Sequence, residues 1–240
     1  MGNCCGCCLL MLWARAIRAI LADQRVIRDI LLQRDRDPHK VSDKDFPREC
    51  AWAIYTAGTT FKTVEGKWKQ IEQALLEWDY QRICQDKNTV RNNALQDGLR
   101  VRNAVRKVDA VISIAQWMNQ TGWATIREQL LKDVKQDKQG NFVPSRDLIP
   151  YLDRLPMVGE TNARFIAKNL GYDLAKPDRL LKSLAAKFGY PSNATGVQQF
   201  ASDISQLVFE RISVVETVLW NACNSKADLS FECPCCGRQR

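Results

Sequence analysis

Apolar residues along this chain recur at three- and four-residue spacing, and the intervals between them are closed by glycine, proline or short polar runs. From Leu9 to Arg36 the spacing predicts one amphipathic helix, with Leu12, Ile17, Ile20, Leu21, Ile27, Ile30 and Leu31 on its apolar stripe. Residues 48–79 predict two helices joined around Ala57 to Thr60. Residues 92–119 predict another pair, with Val101, Val105, Val108, Val111, Ile112 and Ala115 inward and Arg100, Arg102, Arg106 and Lys107 on a basic face around them. A helix is expected from Trp123 to Val134, then a polar loop from Lys135 to Phe142. No run alternates apolar and polar residues as a half-buried strand does, so the expected fold class is all-α.

The stretch from Asp153 to Leu181 carries the most local information. Leu155-Pro156-Met157-Val158-Gly159 ends one apolar segment on a residue free to take positive φ. Thr161 or Asn162 is a candidate cap for the next helix, whose apolar face is Ala163, Phe165, Ile166 and Leu170, and Gly171 is placed to end it. Nineteen residues after Gly159 comes Lys176-Pro177-Asp178, where proline restricts the backbone leading to a carboxylate. Beyond it, Leu180, Leu181, Leu184, Ala185 and Phe188 continue a helix that Gly189 and Pro191 stop. Val197 to Val208 and Val214 to Ala222 are the last helical segments. On local grounds alone, Asp178 suits an N-cap as well as a reactive carboxylate, and the two roles are compatible.

The hairpin with its following Pro-Asp resembles the helix-hairpin-helix (HhH-GPD) signature of the DNA glycosylase superfamily that includes endonuclease III. In that family Leu-Pro-Gly-Val-Gly is followed at this spacing by an active-site aspartate; here Met157 stands where the first hairpin glycine does. The run Val214-Val215-Glu216-Thr217-Val218-Leu219-Trp220 is similar to the family's closing helix. The resemblance covers residues 44–222. It implies a two-lobed helical bundle with the active site between the lobes, a Cys-rich segment and helix at 1–43 before it, and a Cys-rich tail at 223–240 after it. It also implies backbone contacts to duplex DNA at Met157, Val158, Gly159, Thr161 and Asn162, and Asp178 as the catalytic residue. Cleavage of an N-glycosidic bond builds positive charge on the sugar, which a carboxylate stabilises while it orients water. Bifunctional members carry a lysine where this chain has Thr161, so base release without strand cleavage is implied.

AWAIYTAGTTF, residues 51–61, is similar to the type I 3-methyladenine branch of the family. Ala53 occupies the position of that branch's base-reading glutamate, so its specificity does not carry over. Trp52, Tyr55 and Phe61, with Trp68, are candidates to line a base pocket, or to fill an ordinary core. The reading from a different class is a DNA-binding module with the same fold and no activity.

Charge and composition then adjust the picture. The net charge of +8 favours a polyanionic partner, here double-stranded DNA, and a single histidine, His39, argues against a His-based catalytic pair. The apolar run from Cys4 to Trp13 is too short to span a bilayer, and a cytoplasmic, nucleoid-associated monomer without a membrane anchor is expected. Ten cysteines remain. Cys233 and Cys236 have the C-x₂-C spacing of half a zinc site, with Cys223 upstream as a third candidate ligand. Endonuclease III-like enzymes hold an iron–sulfur cluster after the last helix, but the spacing here lacks its fourth cysteine. The type I branch instead joins its two ends through zinc, and Cys4, Cys5, Cys7 and Cys8 are available to complete such a site, so zinc is expected ahead of iron–sulfur.

Overall fold

The computed structural model describes residues 5–237. Among them the chain is all-α. Its helices in order are α1 (Gly6–Ile20), α2 (Gln24–Asp35), α3 (Asp45–Thr56), α4 (Phe61–Glu65), α5 (Trp68–Ala74), α6 (Tyr80–Gln85) and α7 (Lys87–Ala94). There follow α8 (Ala104–Thr121), α9 (Trp123–Leu131), α10 (Leu148–Asp153), α11 (Gly159–Asn169), α12 (Arg179–Lys187), α13 (Ala194–Val208) and α14 (Ile212–Asn224). A two-stranded ribbon, β1 (Lys135–Gln136) and β2 (Phe142–Val143), occupies the expected polar loop. Its turn is set by Asp137, whose carboxylate accepts from the amides of Gln139 and Asn141 at 2.9 and 2.8 Å. Strands this short have no alternation for a sequence reading to find.

Two compact units divide the chain. One consists of residues 1–36, 136–143 and 171–240; the other of residues 37–135 and 144–170.

In the first unit α1 packs on α13 and α14, and α14 also meets α2 and α12. Leu12, Ala16 and Ile20 are buried in one cluster with Phe200, Ile204, Val214, Val218 and Leu219. Each large member contributes about 1.5–3 kcal/mol by leaving water. The single helix expected from Leu9 to Arg36 is two helices. Asp23 interrupts it by accepting from the amides of Arg25 and Val26, which starts α2 in a new phase. Leu21 and Leu31 therefore leave the predicted stripe and are 59% and 51% exposed. Arg211 closes the C-terminal end of α2: Nη1 donates to the carbonyls of Gln33, Arg34 and Arg36, and Nη2 to that of Gly171 at 2.8 Å. Its Nε lies 3.8 Å from the buried carboxylate of Asp173, which accepts from the Ser213 amide at the start of α14.

In the second unit α8 is the central helix, packed on α3, α6, α7 and α9. Val108, Val111, Ile112, Ala115 and Met118 are buried as the spacing requires, whereas Val105 is 50% exposed. Lys107, expected on a basic face, is 1% exposed. Its Nζ donates to the carbonyls of Tyr55 and Ala57, both at 2.8 Å, and to the Thr59 hydroxyl at 2.9 Å. These three acceptors use all three ammonium protons at the C-terminal end of α3. Residues 48–79 form three short helices and a left-handed turn, Leu76–Trp78, rather than two helices.

Candidate functional site

Asp178 stands at the N-cap of α12 in extended backbone, directly after Pro177. Its Oδ1 accepts from the Leu181 amide at 3.0 Å, and its Oδ2 accepts from the indole N–H of Trp220 at 2.5 Å. The capping role is therefore realised, and α14 supplies a second anchor that the spacing could not reveal. The side chain is half-buried, and a carboxylate offers about four acceptor positions. Two donors fix its direction and leave lone pairs for another partner. α12 and α14 with the segment 227–230 also enclose a cleft of about 340 Å³, lined by Leu184, Lys187, Phe188, Cys223, Asp228 and Ser230.

In the second unit, α10 and α11 are joined by a tight turn. Leu155 and Val158 point inward, while Met157 and Gly159 both take left-handed backbone, with φ of +60° and +61°. Gly159 does so freely; a side chain there would meet only Asp153 at 4.0 Å, so the requirement is conformational. The expected cap from Thr161 or Asn162 is absent because α11 starts earlier, at Gly159, with Val158 in the cap position. Asn162 instead donates across the turn to the Met157 carbonyl at 3.4 Å. Gly171, with φ +108°, follows α11 as expected.

The aromatic candidates come together, packed on one another. Trp52 meets Phe61 and Trp68 edge-on at 4.9 and 4.7 Å, and Trp68 stacks on Trp78 at 5.2 Å. Tyr55 is fully buried, with a hydroxyl that has no partner among the described residues, and burial raises its phenol above the ordinary range. Tyr55 thus belongs to the core, since a base could reach it only by displacing its neighbours.

The cysteines form the most complete constellation. Cys5 caps the start of α1 and Cys8 lies on its first turn. The segment Cys233-Pro234-Cys235-Cys236-Gly237 turns back on itself, the Gly237 amide donating to the Cys233 carbonyl at 2.7 Å with Gly237 at φ +63°. The sulfurs of Cys5, Cys8, Cys233 and Cys236 all lie within 4.8 Å of one another. Individual separations are 3.4 Å for Cys5–Cys8, 3.6 Å for Cys5–Cys233, 3.9 Å for Cys5–Cys236 and 3.6 Å for Cys8–Cys236. Four thiolates at the usual 2.3 Å from one tetrahedral ion would stand about 3.8 Å apart. The donor set therefore suits a single tetrahedral metal ion.

Burial pushes the Cys233 thiol up, but hydrogen bonds from Cys8, from the amides of Cys235 and Cys236, and from the Cys236 thiol outweigh it and hold it at about 6. A thiolate is the form that binds metal. Cys223 is not a member of this group. It sits three residues beyond Trp220 on α14 and faces the cleft, and its thiol is raised by burial and by the Asp178 charge, against the pull of Lys187. Cys5 and Cys8, the members without individual assignment in the sequence reading, repeat the C-x₂-C spacing of Cys233 and Cys236. Cys4 lies outside the described residues. None of the described cysteines is in a disulfide.

No family model, curated protein or solved structure matches this chain. Among the described residues no helix is long and apolar enough to cross a membrane.

Proposed function

We propose that the chain is a monofunctional DNA glycosylase, hydrolysing the N-glycosidic bond of a damaged or modified base in duplex DNA as a step of base-excision repair. The reading begins with the resemblance of residues 44–222 to the helix-hairpin-helix glycosylases. The observation that carries it is Asp178, a half-buried carboxylate held at one end of α12 by the Leu181 amide and the Trp220 indole. A carboxylate fixed in this way needs little reorganisation to face a developing oxocarbenium ion or to direct water at C1′. The turn at Met157 to Asn162 suits sequence-independent phosphate contacts through backbone amides, and the charge of +8 suits DNA. Thr161 cannot form an imine, so the product is free base and an intact abasic site. For the cysteine tetrad we propose zinc in a structural role, because thiolates on the several irons of a cluster would stand farther apart than these do.

The test is a screen of the full-length chain against duplexes that each carry one defined lesion, followed by Asp178→Asn on whichever substrate reacts. Base release should be lost in the variant while duplex affinity stays within a few fold. Equal turnover by variant and parent would remove Asp178 from the chemistry. The second reading, a DNA-binding module without activity, is favoured by one observation: Trp52, Phe61, Trp68 and Trp78 pack on each other rather than around an open space. Duplex binding with no release from any lesion would select it.

A further inference from the structure

Two more cysteines stand beside the tetrad. Cys7 and Cys8 are consecutive on the first turn of α1, so their side chains leave the helix about 100° apart. While Cys8 turns toward Cys5 and Cys236, Cys7 turns toward Cys235 on the facing segment. The sulfurs of Cys7, Cys233 and Cys235 all lie within 4.8 Å of one another, and Cys233 also belongs to the tetrad. Cys7 is half-buried and Cys235 is exposed, so one side of this second group faces solvent.

We propose that Cys7, Cys233 and Cys235 form a second thiolate metal site that shares Cys233 with the first, making a two-metal cluster of six cysteines with Cys233 as the bridging ligand. A thiolate sulfur carries enough lone pairs to serve two soft ions, and Cys233 is the fully buried sulfur that both groups contain. Three sulfurs converging on one point suit a thiophilic d¹⁰ ion, with the solvent side left for a water or a small exogenous thiol. The two ions are not equivalent: the tetrad is closed by protein, and the three-sulfur site is open. The open site should therefore fill last and empty first. The proposal rests on the tetrad being a metal site, and the experiment separates the two.

The full chain, kept reduced with a phosphine and titrated with Cd²⁺, is weighed by native mass spectrometry. Two ions per chain are expected. Cys7→Ser and Cys235→Ser should each bind one ion with helical circular dichroism unchanged, while Cys223→Ser, outside both groups, should keep two. In ¹¹³Cd magnetic resonance the two ions should show mutual coupling through the shared sulfur. One ion on the parent chain, or two on either Cys7→Ser or Cys235→Ser, would overturn the second site and leave the tetrad standing. No ion bound would overturn both.

Discussion

Lys107 and Arg211 each close the C-terminal end of a helix, one in each compact unit, and they do it by different chemistry. Lys107 spends its three protons on two carbonyls and a hydroxyl, all neutral, and is 1% exposed. Burial, with the Arg102 charge adding to it, lowers its pKa from an ordinary 10.5 to about 8. Arg211 spreads four donations over the end of α2 and Gly171, and has the Asp173 carboxylate 3.8 Å away. Burial raises the Asp173 pKa, opposed by the amides of Ser213 and Ile212 and by Arg211 itself. A guanidinium keeps its proton at any pH of interest, whereas an ammonium does not. One unit thus closes a helix end with an ammonium held among neutral acceptors, and the other with a guanidinium beside a buried carboxylate; the cysteine tetrad lies in the latter unit. Three perturbations distinguish the two units.

Metal removal should act on the first unit. With free zinc a thousandfold above its dissociation constant, binding stabilises by about 4 kcal/mol. Chelation should raise hydrogen exchange in α1 and in residues 225–237 while leaving α8 protected. Equal loss of protection in both units would show that the tetrad fastens more than its own.

Replacing Lys107 with Met should cost about 3 kcal/mol at pH 7, since it strips the partners from buried acceptors. The pH dependence identifies the mechanism. Between pH 8 and 10.5 the folded chain has released a proton that the unfolded chain still binds, so this group adds stability as pH rises through that window. The gap between parent and Lys107→Met should widen from pH 8 to 10.5 in urea titrations, while the gap to Arg211→Met stays flat. A narrowing gap would mean that the folded chain holds the Lys107 proton more tightly than the unfolded chain does.

The smallest effect belongs to the turn between α10 and α11. Left-handed backbone costs a residue with a side chain about 1–2 kcal/mol, and Met157 sits there at φ +60°. Met157→Gly should gain up to about 1 kcal/mol, less the extra freedom that glycine has when unfolded. Met157→Val should lose a similar amount. If the glycine variant is instead the less stable of the two, the Met157 side chain matters more than its backbone.

Much of this was legible where a residue acts on its own neighbours. Asp178 before Arg179, Gly159 and Gly171 at the ends of α11, and the Cys233–Cys236 pair all follow from local backbone chemistry. What required the fold was partnership across long separations. The N-terminal CCGCC offers C-x₂-C pairing in two registers, Cys4 with Cys7 and Cys5 with Cys8. Spacing is the same in both, and in the structure Cys5 and Cys8 at the start of α1 meet Cys233 and Cys236. Lys107 read as one more surface cation because the carbonyls it meets lie some fifty residues earlier. The partner of Asp178 is 42 residues later, on α14. The break at Asp23 was present in the text, but an unbroken apolar period on either side concealed it.

The tetrad joins sulfurs 228 positions apart, and that separation has a consequence on the ribosome. At about 5–20 residues per second, roughly ten to forty-five seconds pass between the appearance of Cys8 and that of Cys233. All residues of the second unit have been made once Leu170 is added, so it can assemble during this wait. The first unit cannot. Its opening helix emerges with Leu12, Ala16 and Ile20 uncovered and the Cys5 and Cys8 thiols beside it not yet met by Cys233 and Cys236, and its partner α14 is among the last segments made. The apolar face of α1 therefore waits for α13 and α14 to be made, and with zinc in the tetrad as proposed, ion capture would be the step that ends the assembly of this unit.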